Sequence, residues 1–379
     1  MSMTTCEPNQ GISILKRRTA EQHLNDSGPY ACLLKDLVME AKDKKASDIH
    51  IEPTENGVEF RIRMDGTIYL YKSIEFIHRE SLLLEAKRVF GLSIGVSGRP
   101  QDGRVSLSSL RLDLRVSLLP TQYGEKIVLR LLDLDNTFEL NQLGYLDNEL
   151  AVLKSVTQFE DGVVIVSGPT GSGKSRTLYS ILNELNPHKY NIVTIEDPIE
   201  YRLTGINQVQ VNRKMSFSDV LRSCLRQDPD VILVGEIRDS ETAKLCFQAA
   251  ETGHLVFSTL HANGAVEVTE RLRNLGVETI NLETNLRLSI AQRLEQKLCP
   301  ECSLVETLSP LKLKIKNEHG CSSCNGGIKG RVPLLEWASY DVNNKNKILQ
   351  LHQTLTESKK VRVLEGQIDS SGVNFESKK

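Results

Sequence analysis

The chain has 379 residues, of which 39% are hydrophobic and 25% charged, with a formal net charge of −2. That length accommodates two or three domains of about 100–200 residues each, with enough apolar side chains for sizeable cores. The near-neutral balance excludes a global field that would pull the chain onto nucleic acid or an anionic membrane.

Residues 1–27 are polar, carry KRR at 16–18 and end in NDSG, the profile of a poorly ordered lead-in without a secretory signal. Residues 30–46 place Leu33, Leu34, Leu37, Val38 and Ala41 at helical spacing. VEFRIR (58–63) alternates as a half-buried strand does, MDG turns the chain, and TIYLYK reads as a second strand. A helical stretch around 80–90 precedes the β-rich runs RVSLSSLRLDLRVSLLP and EKIVLRLLD. Residues 28–138 therefore read as a mixed α/β domain and 139–150 as a linker. From 151 to 298 short β-branched runs, VVIVS (163–167), NIVTIE (191–196), VILVG (231–235) and LVFSTL (255–260), alternate with helical segments. That rhythm predicts a largely parallel sheet covered by helices. The longest apolar runs, such as VVIV and VILV, fall far short of the ~20 residues that span a bilayer. A cysteine-rich insert and a charged helical region are expected over 299–365, then a polar tail over 366–379.

VVIVS runs into GPTGSGKS, in which Gly168, Pro169, Thr170, Gly171, Ser172, Gly173, Lys174 and Ser175 fit G-x-x-x-x-G-K-[ST] in full. The glycines let the backbone turn tightly and aim several N–H groups at one phosphate, and the following helix start adds partial positive charge. Lys174 is expected to reach the β- and γ-phosphates, and the Ser175 hydroxyl to hold Mg²⁺. TIEDPIEY supplies Glu196, Asp197 and Glu200. VILVGEIRD has Gly235 where the first member of an acidic pair is usual, leaving Glu236 and Asp239. Strand C-termini of a parallel sheet face the ligand crevice, so both acidic clusters are expected near the terminal phosphate. His254 precedes LVFSTL and His261 follows it, where His261 could sense that phosphate. Read singly, an acidic pair is a solvated loop and a histidine a structural residue; their order after the phosphate loop gives them weight.

Cys299-x2-Cys302 and Cys321-x2-Cys324, with residues 303–320 between them, fit a structural Zn²⁺ site. Its binding energy would act as folding energy, and metal-ligand spacing rather than a disulfide framework points to the reducing cytosol. Cys6, Cys32, Cys224 and Cys246 show no such pairing.

In combination, GPTGSGKS, TIEDPIEY, ILVGEIRD and TGHLVFSTLHAN resemble the P-loop, aspartate box, Walker B motif and histidine box of the ATPases of type II secretion and type IV pilus assembly. ASDIHIEP (46–53), QDGR (101–104), DLRVSLLPT (113–121), GEKIVLRLL (124–132) and LCPEC…GCSSCNGGIKGR extend the resemblance over roughly 30–337. The resemblance implies an α/β architecture: a RecA-like P-loop NTPase core, a smaller PAS-like N-terminal domain and a C-terminal zinc-bound subdomain. It implies ATP hydrolysis despite the glycine at 235, with Glu236 as the Walker B glutamate and Glu196 polarising the attacking water. Arg104, Arg115 and Arg130 fall on matching positions of the small domain and are candidates for charge-stabilising arginines. It further implies a homo-hexamer, cytoplasmic and peripheral at the inner membrane, working with a membrane platform of a secretion or pilus system. The resemblance implies an additional N-terminal docking domain in many relatives, ahead of the segment matched here; within the chain, Ile328 stands where tyrosine is usual, and beyond Trp337 the likeness fades. A DNA-uptake or conjugation motor acting with nucleic acid is the competing reading. Only 5% aromatics and no basic–aromatic stretch oppose it. A non-hydrolysing regulatory subunit is disfavoured because every catalytic motif is present.

Overall fold

The computed structural model describes residues 19–134, 139–212, 214–308, 311–340, 348–371 and 373. They fall into two units, 1–135 and 136–379.

In the first unit the order begins earlier than the polar lead-in suggested. Helix α1 (Ala20–Leu24) is closed by a capping box: the Gln22 N–H donates to the Thr19 hydroxyl, and the Thr19 N–H donates to the Gln22 side-chain carbonyl. Leu24 is buried. Residues 1–18 lie outside the described residues. Helix α2 (Pro29–Asp43) buries Ala31, Leu34, Leu37, Val38 and Ala41, one continuous stripe. There follow β1 (Asp48–Thr54), β2 (Gly57–Met64), β3 (Thr67–Glu75), α3 (Arg79–Val89), β4 (Gln101–Leu107), β5 (Leu112–Thr121) and β6 (Gly124–Asp133). The strands form an antiparallel sheet in the order β3-β2-β1-β6-β5-β4. Because side chains alternate along a strand, Ile49, Ile51, Phe60, Ile62, Leu114 and Val116 enter the core with Leu34, Leu37, Leu82 and Ala86 of the helices. The same alternation gives the opposite face Asp48, Arg63, Arg115 and Arg130.

The second unit comprises α4 (Asp147–Ser155), β7 (Gly162–Ser167), α5 (Lys174–Glu184), β8 (Ile192–Glu196), β9 (Asn207–Gln210), α6 (Phe217–Cys224), β10 (Val231–Val234), α7 (Ser240–Glu251), β11 (Leu255–Leu260), α8 (Glu267–Asn274), α9 (Thr279–Asn285), β12 (Leu286–Leu298), β13 (Leu304–Leu308), β14 (Leu311–Ile315), β15 (Ile328–Tyr340), β16 (Leu349–Gln353) and α10 (Leu355–Leu364). The main sheet runs β16-β15-β12-β7-β11-β10-β8-β9. Pairing is parallel from β12 through to β9, whereas β15 and β16 join antiparallel. Val163, Ile165, Ile232 and Val234 feed one core layer, and Val164, Val166, Leu233 and Phe257 the other. Burial on both faces is why these strands read as unbroken apolar runs.

Three expectations need correction here. After the cysteine insert the region expected to be helical carries β15 and β16 before α10, the one α-helix among the described residues of 299–365. The supposed linker 139–150 is packed rather than solvated, with Leu140, Leu146 and Glu149 buried. Glu149 pairs with Arg362 of α10 at 2.8 Å, both side chains wholly buried, and also accepts from the Leu146 N–H, Gln353 and Ser358. The polar tail begins as ordered chain, since Ile368 is buried and Asp369 accepts the Lys316 N–H at 2.6 Å. Residues 374–379 lie outside the described residues. Among the described residues no helix is long and apolar enough to cross a membrane.

Candidate nucleotide site and cysteine cluster

The loop 168–173 leaves the C-terminal end of β7 and enters α5 at Lys174, so the unpaired N–H groups of the first helical turn face the loop. Gly173 has φ 89°, and a Cβ there would lie 2.8 Å from Gln292 Nε2; only glycine meets both demands. The Lys174 ammonium donates to the carbonyls of Gly168 at 2.9 Å and Pro169 at 3.0 Å. Burial pulls its pKa below the ordinary lysine value, and the carboxylates of Glu236 and Glu200 oppose that pull. A flexible cation thus lies folded over a nest of backbone donors. A phosphate entering the nest offers it charged acceptors in exchange for two neutral carbonyls.

Glu236 follows β10 after Gly235, accepts from Arg238 at 2.5 Å and lies 3.9 Å from His261 Nε2, which follows β11. Adjacent strand ends therefore bring Lys174, Glu236 and His261 to one crevice. Glu196, the last residue of β8, is buried and more constrained. It accepts from the Tyr179 hydroxyl, from Thr194 Oγ1 at 2.5 Å and from Gln208 Nε2 at 3.1 Å. Asp239 does not join the acidic cluster: it caps α7, accepting from the Thr242 N–H at 2.8 Å and hydroxyl at 3.0 Å. His254 serves the turn before β11, with Nδ1 2.8 Å from the Ala249 carbonyl oxygen.

Gly235 has a steric reason. Its N–H donates to the Ile195 carbonyl at 2.8 Å, and an added Cβ would lie 3.1 Å from that oxygen and 3.4 Å from the Glu196 Cα. An aspartate here would press on the end of β8, where Glu196 sits.

In the first unit, strand register lays Arg104, Arg115 and Arg130 side by side across β4, β5 and β6. Arg104 pairs with Asp113 at 2.6 Å, and Arg130 with Asp48 at 3.1 Å. Asp48 stands opposite Arg130 on one side and Arg63 on the other, so the row continues onto β2.

Cys299, Cys302, Cys321 and Cys324 bring four sulfurs within 4.8 Å of one another. Sγ separations of 3.8 Å (Cys299–Cys321) and 3.6 Å (Cys302–Cys324) match the edges of a tetrahedron with metal–sulfur bonds of about 2.3 Å. The Cys321 N–H donates to Cys324 Sγ at 3.2 Å, the outer-shell support a thiolate ligand receives. The residues present fit the metal their spacing implies.

Tyr179, Gln208, Tyr145 and Gln292 were not singled out in the sequence. No spacing rule marks any of them.

A glycine-rich loop at the end of a buried parallel strand, a lysine folded over it and a carboxylate two strands across the sheet define a P-loop nucleotide-binding core. Residues 23–375 match the family Type II/IV secretion system protein, and the chain belongs to that family. It is 44% identical over 330 residues to the type II secretion system protein E of Pectobacterium carotovorum subsp. carotovorum, covering 82% of this chain and 66% of that one. It is 42% identical over 334 residues to the type IV pilus assembly ATPase PilB of Acinetobacter baylyi, covering 83% and 58%. The chain thus spans somewhat less than two thirds of these relatives' lengths. Among solved structures, the pilus retraction motor PilT with bound ADP is 28% identical, with a TM-score of 0.62 and coverage of 88% and 94%. The Legionella pneumophila ATPase DotB, 21% identical with a TM-score of 0.69 and coverage of 92% and 96%, shares the fold.

Proposed function

We propose that this chain is a motor subunit that hydrolyses ATP to drive assembly of a pilus or pseudopilus. The observation that carries the reading is Lys174, folded onto its own loop carbonyls within reach of the Glu236 field. Loop N–H groups between 168 and 175, Pro169 excepted, bind the phosphates, Lys174 neutralises β- and γ-phosphate charge, and the Ser175 hydroxyl with Glu236 offers hard oxygen ligands suited to Mg²⁺. When bound, that ion neutralises charge on the phosphate oxygens. Glu236 orients the attacking water, Glu196 supports it from the next strand, and His261 senses the terminal phosphate. Arg104, Arg115 and Arg130 supply the positive charge that phosphoryl transfer demands. Zinc at Cys299, Cys302, Cys321 and Cys324 would hold the β13–β14 segment without an open coordination position for chemistry. The working form in this reading is a homo-hexamer, cytoplasmic and peripheral at the inner membrane, docked on a platform of a secretion or pilus system.

Equilibrium binding of a fluorescent ATP analogue tests the first step. Wild type binds in the presence of Mg²⁺, and Lys174→Ala loses that binding while keeping its thermal midpoint. Equal binding by the two proteins contradicts the proposal.

A further inference from the structure

Gln292 lies near the middle of β12, the strand beside β7, and its side chain is buried. Its Nε2 donates to the Ser172 carbonyl inside the phosphate loop at 2.7 Å. Its Oε1 accepts from the Thr177 hydroxyl at 2.8 Å and the Tyr145 hydroxyl at 3.3 Å. Thr177 stands one turn into α5, and its hydroxyl is also 2.6 Å from the Tyr145 hydroxyl. One amide therefore spans the loop on one side and the first turn of the following helix on the other. The Ser172 carbonyl can only accept, so the carboxamide turns its NH2 to the loop and its Oε1 to the two hydroxyls, which share two hydrogens among Oε1, each other and the Gly173 carbonyl 3.1 Å from Thr177 Oγ1. Burial raises the pKa of the Tyr145 phenol, which therefore stays a hydroxyl across the working pH range.

The loop must keep its N–H groups convergent while Lys174 leaves the carbonyls of Gly168 and Pro169 for phosphate. Nothing covalent fixes Ser172; its carbonyl is held by Gln292. We infer that Gln292 is a positioning residue that presets the phosphate loop for nucleotide, and that Tyr145 holds Gln292 in register from the segment leading into α4. This rests on the nucleotide-binding reading of the loop. The geometry assigns the pair a ground-state role: it shapes the cradle before chemistry and touches no reacting atom. Its loss acts on affinity, and turnover at saturation changes little.

The test uses full-length protein carrying Gln292→Met, which keeps the volume and removes both polar ends, and Tyr145→Phe, which removes one hydroxyl. Binding of a fluorescent ATP analogue, KM and kcat for ATP, and the nucleotide-free thermal midpoint are measured for each. Loss of one buried donor–acceptor match corresponds to about tenfold in affinity. Gln292→Met is expected to raise Kd and KM about tenfold or more, and Tyr145→Phe several-fold, with kcat within about twofold of wild type. Tyr145→Phe keeps the ring and its packing, so it reports even where Gln292→Met folds poorly. Unchanged Kd and KM in Tyr145→Phe and in folded Gln292→Met, with only a lower thermal midpoint, overturns the inference and leaves the pair structural. Wild type that fails to bind the analogue overturns the underlying nucleotide reading instead, which separates the two failures.

Discussion

Arg362→Met and Glu149→Gln should destabilise the second unit unequally, and the inequality can be worked from the contacts. Both partners are wholly buried and 2.8 Å apart. Breaking a buried pair by removing one member costs about 3–5 kcal/mol, because an uncompensated charge stays behind. In Arg362→Met the stranded carboxylate of Glu149 keeps three donors, the Leu146 N–H, Gln353 Nε2 and the Ser358 hydroxyl, so the cost falls near the lower end. In Glu149→Gln the stranded guanidinium keeps Gln367 as an acceptor, while its Nε already lacks a partner, so the cost falls near the upper end. At about 2–4 °C per kcal/mol for a unit of this size, the midpoints drop by about 6–12 °C and 10–20 °C respectively. The double variant Glu149→Leu/Arg362→Met strands no charge and should recover more than half of the larger loss. Differential scanning calorimetry at constant protein and zinc concentration provides the measurement. Shifts below about 2 °C in both single variants, or a double variant as unstable as the sum of the two, would show that no uncompensated buried charge is left by either substitution.

Two further outcomes follow from local chemistry. Elemental analysis of purified protein should find about one zinc per chain, and Cys302→Ser should lower folded yield while the folded fraction retains ATP turnover; zinc-free, folded, active wild type would contradict the site. At Glu52, burial raises the carboxyl pKa, but Lys126 and Arg61 outweigh it and hold the group below its ordinary value. A depressed folded pKa contributes stability that is present above the unfolded value of about 4.5 and lost as pH falls through the folded value. Lys126→Met should therefore lower stability at neutral pH and flatten the acid limb below pH ~4.5 in denaturant titrations. An unchanged acid limb would show that Lys126 does not hold the carboxyl down.

Much of the molecule was legible because its signals are local. Continuous β-branched runs announced the buried parallel strands, and the four cysteines needed only their spacing to suggest a cluster that the fold brings within 4.8 Å. The Thr19…Gln22 capping box was also present in the sequence, although the polar composition around it read as lead-in. What escaped depends on tertiary partners. LRLSIAQRLEQKL, over 286–298, is rich in good helix formers, yet it is strand β12 because pairing with β7 and β15 on its two sides outweighs intrinsic preference. Glu149 looks like a solvated acid in sequence, and only the fold reveals that Arg362, more than two hundred residues later, neutralises it. Asp239 shares a short motif with Glu236, but the backbone turns it into a helix cap. Gly235 read as a missing acidic residue; against β8 an added Cβ would lie 3.1 Å from the Ile195 carbonyl oxygen, a tight fit that favours glycine.

In the proposed cycle, Glu236 orients water at a loop where Lys174 already holds ATP. Single-turnover phosphate release by Glu236→Gln, measured beside ATP-analogue binding on the same preparation, tests it most directly. Binding within about threefold of wild type is expected, with phosphate release slowed by about 10²-fold or more, since positioning water contributes in the transition state rather than the ground state. Wild-type phosphate release by Glu236→Gln would contradict it and would shift the role to Glu196 on the neighbouring strand.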